Sequence, residues 1–210
     1  MNTAAEPLVP AVRTPIVVMA SGTGSLLQAL FDRSAHGAPF RIVAVIVDRD
    51  CRAADIAHAH HVPVVDCRVG AHPDRASWDT DLTARVDEYT PEWVVTAGFM
   101  KILGPTFLSR FGGRIVNSHP ALLPSFPGAH GVTDALAHGV KVTGTTVHLV
   151  DDGVDTGPIL AQESVAIAAD DTEDTLHERI KSVERVLLAD VVTALVTKGV
   201  VIDGRKAHIP

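Results

Sequence analysis

Four short, continuous apolar runs separated by segments of helical period constrain this chain most. The runs are Ile16 to Ala20, Arg41 to Val47, Val62 to Val65 and Trp93 to Ala97. Unbroken runs of this kind are the pattern of strands buried on both faces of a parallel sheet. Between them, Leu26 to Phe31 and Arg52 to His60 read as short helices. Ser77 to Tyr89 reads as an amphipathic helix with Trp78, Leu82 and Val86 on its core face. Strand and helix thus alternate with short connections. The expected fold is α/β, a single-domain, mostly parallel, doubly wound sheet whose ligands sit at the carboxyl ends of its strands.

The length of 210 residues suits one core. Residues 1–15, with three prolines and no long apolar run, read as a flexible N-terminal tail, and residues 16–210 as the domain. A net charge of −7 argues against a general nucleic-acid or anionic-membrane surface, while leaving room for a local pocket for an anionic small molecule. No segment reaches the roughly 18 apolar residues of a membrane helix. Two cysteines, Cys51 and Cys67, without metal-type spacing or a secretory signal suit a reducing cytoplasm. The histidine cluster His58, His60 and His61 reads as a solvated helix end, and no metal is expected.

The second half changes pattern. Arg114 to Ser118 reads as a strand ending in Asn117-Ser118-His119-Pro120, with Asn117 and His119 two residues apart and so on one face. Three prolines from Pro120 to Pro127 predict a rigid cover over that strand end. Thr133 to His138 reads as a short helix. Thr143 to Val150 and Ile159 to Ile167 read as an antiparallel hairpin around the acidic loop Asp151 to Pro158. A long helix, Thr172 to Thr197, carries Leu176, Ile180, Val183 and Leu187 on one stripe. It also places Lys181 and Glu184 on a common face, most simply as a surface ion pair. Val200 to His208 offers a short strand at most.

Three stretches suggest chemistry. Ser21-Gly22-Thr23-Gly24-Ser25 lies between a strand and a helix, where glycines let backbone N–H groups approach an anion. It lacks the third small residue of a dinucleotide fingerprint and the lysine of a P-loop, leaving a phosphate-monoester site or a plain tight turn. Gly98 to Leu103 is a largely apolar loop, either a wall for a flat ligand or packing beneath the next helix, Pro105 to Phe111. The Asn117–His119 pair could meet a reacting carbonyl. No side chain shows a nucleophile context, so a substrate would supply the nucleophile, and group transfer between two small molecules is the natural class.

Ser21 to Ser25 with Leu27 and Gln28, Ala97 to Leu103, Asn117 to Pro124, Phe126-Pro127-Gly128 and Asp155-Thr156-Gly157-Pro158 together resemble the phosphoribosylglycinamide formyltransferases, the folate-dependent transformylases of purine synthesis. The resemblance runs in order from Ile16 to about Thr197. It implies a catalytic group of Asn117, His119 and Asp155. It also implies binding of phosphoribosylglycinamide by Thr23, Gly24, Ser25, Leu26, Lys181 and Glu184. The co-substrate 10-formyltetrahydrofolate would lie against Arg75, Met100, Lys101, Ile102, Leu103, Val150, Asp151 and Asp152. Two positions depart from the family pattern: Leu26 where asparagine is frequent, and Lys101 where arginine is common. Formyltetrahydrofolate hydrolase and methionyl-tRNA formyltransferase resemble the same core but carry additional domains for which this chain is expected to have no room. A non-catalytic folate- or phosphate-binding protein is the alternative from another class. Small-molecule partners without nucleic acid or membrane are expected, and a homodimer is compatible with the sequence.

Overall fold

The computed structural model describes residues 13–210. The elements in chain order are β1 (Thr14–Ala20), α1 (Ser25–Ala35), β2 (Phe40–Val47), α2 (Arg52–Ala59), β3 (Val64–Asp66), a 3-10 turn (Val69–Ala71), α3 (Arg75–Asp87), β4 (Trp93–Thr96), α4 (Pro105–Phe111), β5 (Ile115–His119), α5 (Gly131–His138), β6 (Val142–Leu149), β7 (Ile159–Ala166), α6 (Glu173–Lys198), β8 (Val201–Asp203) and β9 (Lys206–His208). The tail expected over 1–15 lies outside the described residues as far as 12. Its last two positions belong to β1, because Thr14 and Pro15 pair with Phe40 and Arg41.

One nine-stranded sheet runs β3-β2-β1-β4-β5-β6-β7-β9-β8. β3, β2, β1, β4 and β5 are mutually parallel, and β6 joins β5 antiparallel. Strand order reverses between β1 and β4, the position where the loops after two adjacent strands splay apart and leave a crevice. Alternation along β1 shows why its sequence is apolar throughout. Ile16, Val18 and Ala20 face a core with Leu27, Leu30, Leu188 and Val192, whereas Val17 and Met19 face Trp78, Leu82, Phe107 and Phe111 on the other side. Truncating a side chain such as Leu82 would cost about 2–5 kcal/mol.

Several element ends differ from the sequence reading for local reasons. α3 starts at Arg75 rather than Ser77, because the Asp74 carboxylate accepts the Ser77 N–H at 2.7 Å and caps the helix. The C-terminal segment forms a two-strand hairpin that extends the sheet, more than the single short strand expected, with β9 bridging to β7. α6 begins in a capping box between Thr172 and Thr175. Its buried stripe runs through Leu176, Ile180, Glu184, Leu188, Val191, Val192 and Leu195, with Val183 and Leu187 only partly covered. Among the described residues, no helix is long and apolar enough to cross a membrane.

Candidate active site

β4, β5 and β6 carry the polar row that defines the site. Registry sets Thr96 beside Asn117 and Asn117 opposite His148, so three polar side chains stand across adjacent strands on one face. The Thr96 hydroxyl donates to Asn117 Oδ1 at 2.6 Å. Asn117 Nδ2 lies 3.1 Å from His148 Nε2 and 3.4 Å from Asp155 Oδ1. This amide orientation is the favourable one, since the opposite flip would set an oxygen against the Asp155 carboxylate. His148 Nδ1 donates to the Leu149 carbonyl at 2.8 Å, leaving Nε2 to accept from Asn117 or, when protonated, to donate to Asp155 at 3.5 Å. Sequence reading missed His148 and Thr96, because only cross-strand register reveals them.

His119 is almost fully buried, and its Nε2 donates to the Phe126 carbonyl at 2.8 Å. A carbonyl only accepts, so Nε2 carries the proton and Nδ1 is the site that gains or loses one. Nδ1 lies 3.3 Å from Asp155 Oδ2. Gly131 sits against this ring: a Cβ there would stand 3.2 Å from His119 Nε2 and 3.1 Å from the Phe126 carbonyl. The proline-rich cover is anchored as its composition suggests. Thr146 donates to the Ala121 carbonyl at 2.7 Å and accepts the Leu123 N–H at 3.0 Å, while Gln162 donates to the Leu123 carbonyl at 2.8 Å.

The β6–β7 connection brings Asp155 to the pair. Asp151 accepts from Gly153 N–H at 3.1 Å and from the Thr156 hydroxyl at 2.6 Å, curling the loop tightly. Asp155 then adopts φ 54°, a left-handed conformation that aspartate and asparagine tolerate better than most residues. Its Oδ2 accepts the Gly128 N–H at 2.7 Å. Burial pushes its pKa up, but the hydrogen bonds from His148 and Gly128 and the charge of His119 outweigh this, and the net shift is downward. Asp155 is therefore a carboxylate facing His119 Nδ1 near neutral pH.

Around this group lies a cavity of about 420 Å³. Met100, Lys101, Ile102, Leu103, Val150, Asp151 and Asp155 line it, as do Asn117, His119 and His148. Met100 and Ile102 are 62% and 66% exposed, large apolar side chains held at the mouth. The loop that carries them is braced from α3, where buried Asp79 accepts the N–H groups of Gly104 at 3.0 Å and Thr106 at 2.8 Å. This loop thus forms one wall of the cavity. Glu173 and His177 from the start of α6 also line the cavity, and no sequence signal set them apart.

Other expected residues stand elsewhere. Arg75 lies outside the lining, stacking its guanidinium 4.2 Å from the Trp78 ring and donating to the Ile102 carbonyl. Asp152 also falls outside. Lys101 lines the cavity, yet its ammonium pairs with Asp48 Oδ2 at 2.8 Å. Thr23 to Leu26 form the turn into α1, next to the cavity loop: Ser21, just before them, accepts the Met100 N–H at 2.9 Å. Gly24 is left-handed at φ 73°, and a Cβ there would stand 2.8 Å from Ile56 and 2.9 Å from the Ala53 backbone. The surface ion pair expected for Lys181 and Glu184 is absent among the described residues. Glu184 is instead buried, 2.5 Å from the Ser118 hydroxyl, and burial raises its pKa despite that hydrogen bond.

Asp48 gives this region a pH signature. Burial pushes its carboxyl up, yet Arg49, Lys101 and Ser21 together bring it down to about 2. A depressed folded value contributes stability above the unfolded value near 3.9 and loses it as pH falls towards 2. Asp48→Asn is expected to lower stability by about 2 kcal/mol at pH 6, and to narrow that deficit between pH 4 and 2, in urea titrations at each pH.

The chain matches the formyl transferase family over residues 14–192. It is 59% identical over 198 residues to a phosphoribosylglycinamide formyltransferase of Mycobacterium tuberculosis, covering 94% of this chain and 92% of that one. The crystal structure of glycinamide ribonucleotide transformylase 1 from Symbiobacterium toebii superposes with a TM-score of 0.92 at 35% identity, covering 99% of both chains. A formyltetrahydrofolate deformylase from Pseudomonas syringae superposes at 0.88 with 27% identity, and there the match covers 95% of this chain and 66% of the other. With most of its length matched at such identity, this chain belongs to the formyl transferase family.

Proposed function

We propose that the protein transfers the formyl group of 10-formyltetrahydrofolate to the amine of 5-phosphoribosylglycinamide, a cytoplasmic step of purine biosynthesis. The observation that carries the residue-level reading is the convergence of Asn117 and His119 from β5 with Asp155 from the β6–β7 connection on one wall of the cavity. Mere binding would not require an ionised carboxylate facing the titratable nitrogen of a buried histidine.

The uncharged amine attacks the formyl carbon on the folate N10, forming a C–N bond and placing negative charge on the formyl oxygen. The Asn117 amide N–H and the His119 Nδ1–H stabilise that oxyanion, each such donor contributing about 3–4 kcal/mol. Asp155, 3.3 Å from His119 Nδ1, orients that ring and, through water, passes the proton lost by the amine to N10 as the C–N10 bond breaks. The apolar side chains Met100, Ile102 and Val150 suit the flat folate rings, and the turn from Thr23 to Leu26 offers N–H groups to the phosphate. Ser118 links the cavity to Glu184, through which Glu184 and Lys181 would reach the ribonucleotide.

His148 serves as a positioning residue. Its loss removes one of the contacts that lower the Asp155 pKa. His148→Gln is expected to reduce kcat about tenfold and to move the acidic limb of the kcat–pH profile upward, since Asp155 then protonates at higher pH. A reduced kcat with an unmoved limb would assign His148 a purely structural role. The deformylase likeness favours hydrolysis as a second reading, and turnover with water as sole acceptor tests it.

A further inference from the structure

A second cluster of reactive side chains lies away from the cavity, where the chain leaves β3, passes the 3-10 turn and enters α3. Cys67 Sγ, His72 Nε2 and an Asp81 carboxylate oxygen all lie within 4.8 Å of one another. Their sequence spacing matches no familiar metal motif; the turn and the second turn of α3 bring them together. We propose that Cys67, His72 and Asp81 form a binding site for one zinc-class divalent cation.

The direction of the hydrogen bonds carries the argument. His72 Nδ1 lies 2.9 Å from the Arg68 carbonyl, so that nitrogen holds the ring proton. Nε2 of the neutral ring is then a bare lone pair, and it faces Asp81 Oδ2 at 3.0 Å, another acceptor. Two lone pairs at that separation require a positive centre between them, either an extra proton or a metal ion. The thiol of Cys67 stands 3.7 Å from the same carboxylate oxygen, adding a soft donor that a histidine–aspartate ion pair does not need.

The surroundings hold these donors as a second layer of a metal site does. A histidine ligand whose other nitrogen donates to a backbone carbonyl is the common arrangement. Cys67 is fixed by its own N–H to the Val47 carbonyl at 2.8 Å and by Trp78 Nε1 donating to its carbonyl at 2.9 Å. A tetrahedral zinc with bonds of about 2.0–2.3 Å sets its ligands about 3.3–3.8 Å apart, so the 3.7 Å between Cys67 and Asp81 already fits, and the 3.0 Å between His72 and Asp81 has to open by a few tenths of an ångström. Thiolate, imidazole and carboxylate together select zinc-class ions over magnesium or calcium, and three protein ligands leave the fourth position to water.

Two features oppose binding. Arg85 Nε already pairs with Asp81 Oδ2 at 2.7 Å, so the metal uses the free carboxylate oxygen or displaces this half-exposed arginine. The metal must also displace the thiol proton, whose pKa burial and Asp81 raise to about 11. A thiolate, a carboxylate and a neutral imidazole nevertheless balance a divalent charge.

Cobalt(II) titration of the reduced full-length chain tests the site. The wild type is expected to bind one equivalent with a near-ultraviolet thiolate-to-cobalt band, which Zn²⁺ abolishes by displacement. Cys67→Ser should lose the band, Cys51→Ser should keep it, and His72→Gln, at a more accessible position, should weaken cobalt binding at least tenfold. Zn²⁺ should raise the Tm of wild type and not of Cys67→Ser. Absence of the band in folded wild type, its survival in Cys67→Ser, or unchanged affinity in His72→Gln would overturn the proposal and leave a proton between His72 and Asp81.

Discussion

Asp155→Asn is expected to lower kcat for formyl transfer about a thousandfold while leaving Tm within a few degrees of wild type. Asparagine tolerates the φ of 54° at this position, and its side-chain oxygen can still accept the Gly128 N–H. What it removes is the negative charge 3.3 Å from His119 Nδ1. Without that charge no carboxylate remains beside the imidazole to orient it and to route the amine proton to N10. A collapse of kcat with a nearly constant KM for the ribonucleotide would place the loss in the chemical step. Steady-state kinetics and a thermal melt on the same preparation make the check, and wild-type turnover would remove Asp155 from the mechanism.

His119→Ala should cost at least as much in kcat, for a different reason. It deletes one of the two oxyanion donors, and it also leaves the Phe126 carbonyl without its partner and a void beside Gly131. About 1–3 kcal/mol of stability goes with that unpaired group. The kinetics therefore need a temperature well below the variant's Tm, with His119→Gln as a companion that refills the space. Because Asp155 acts through its contact with His119, the double variant should be little worse than either single one. Independent multiplication of the two losses would show that the residues act separately.

The sheet was legible because its strands are buried on both sides: the runs at Ile16, Arg41 and Trp93 can hardly be anything else. α4 was legible to the residue, since Pro105 opens it and Gly112 follows it. Asn117 and His119 were legible as a pair through strand alternation. His148 was not, because its closeness to Asn117 is a fact of register between β5 and β6 rather than of sequence spacing. Nor was the burial of Glu184. Helical period identifies which residues share a face, but it does not say that Ser118 stands opposite to receive a carboxyl there. The gathering of Cys67, His72 and Asp81 escaped for the same reason, since a turn and a helix create it.

The account rests on an amine-dependent transfer, and one assay addresses it directly. Purified wild-type protein is supplied with 10-formyltetrahydrofolate, with and without phosphoribosylglycinamide, while folate absorbance is followed. Rapid loss of formyl-folate only when the ribonucleotide amine is present, with formylated ribonucleotide formed in equal amount, is the predicted result; consumption at the same rate with water alone, or no turnover with both substrates, would contradict it.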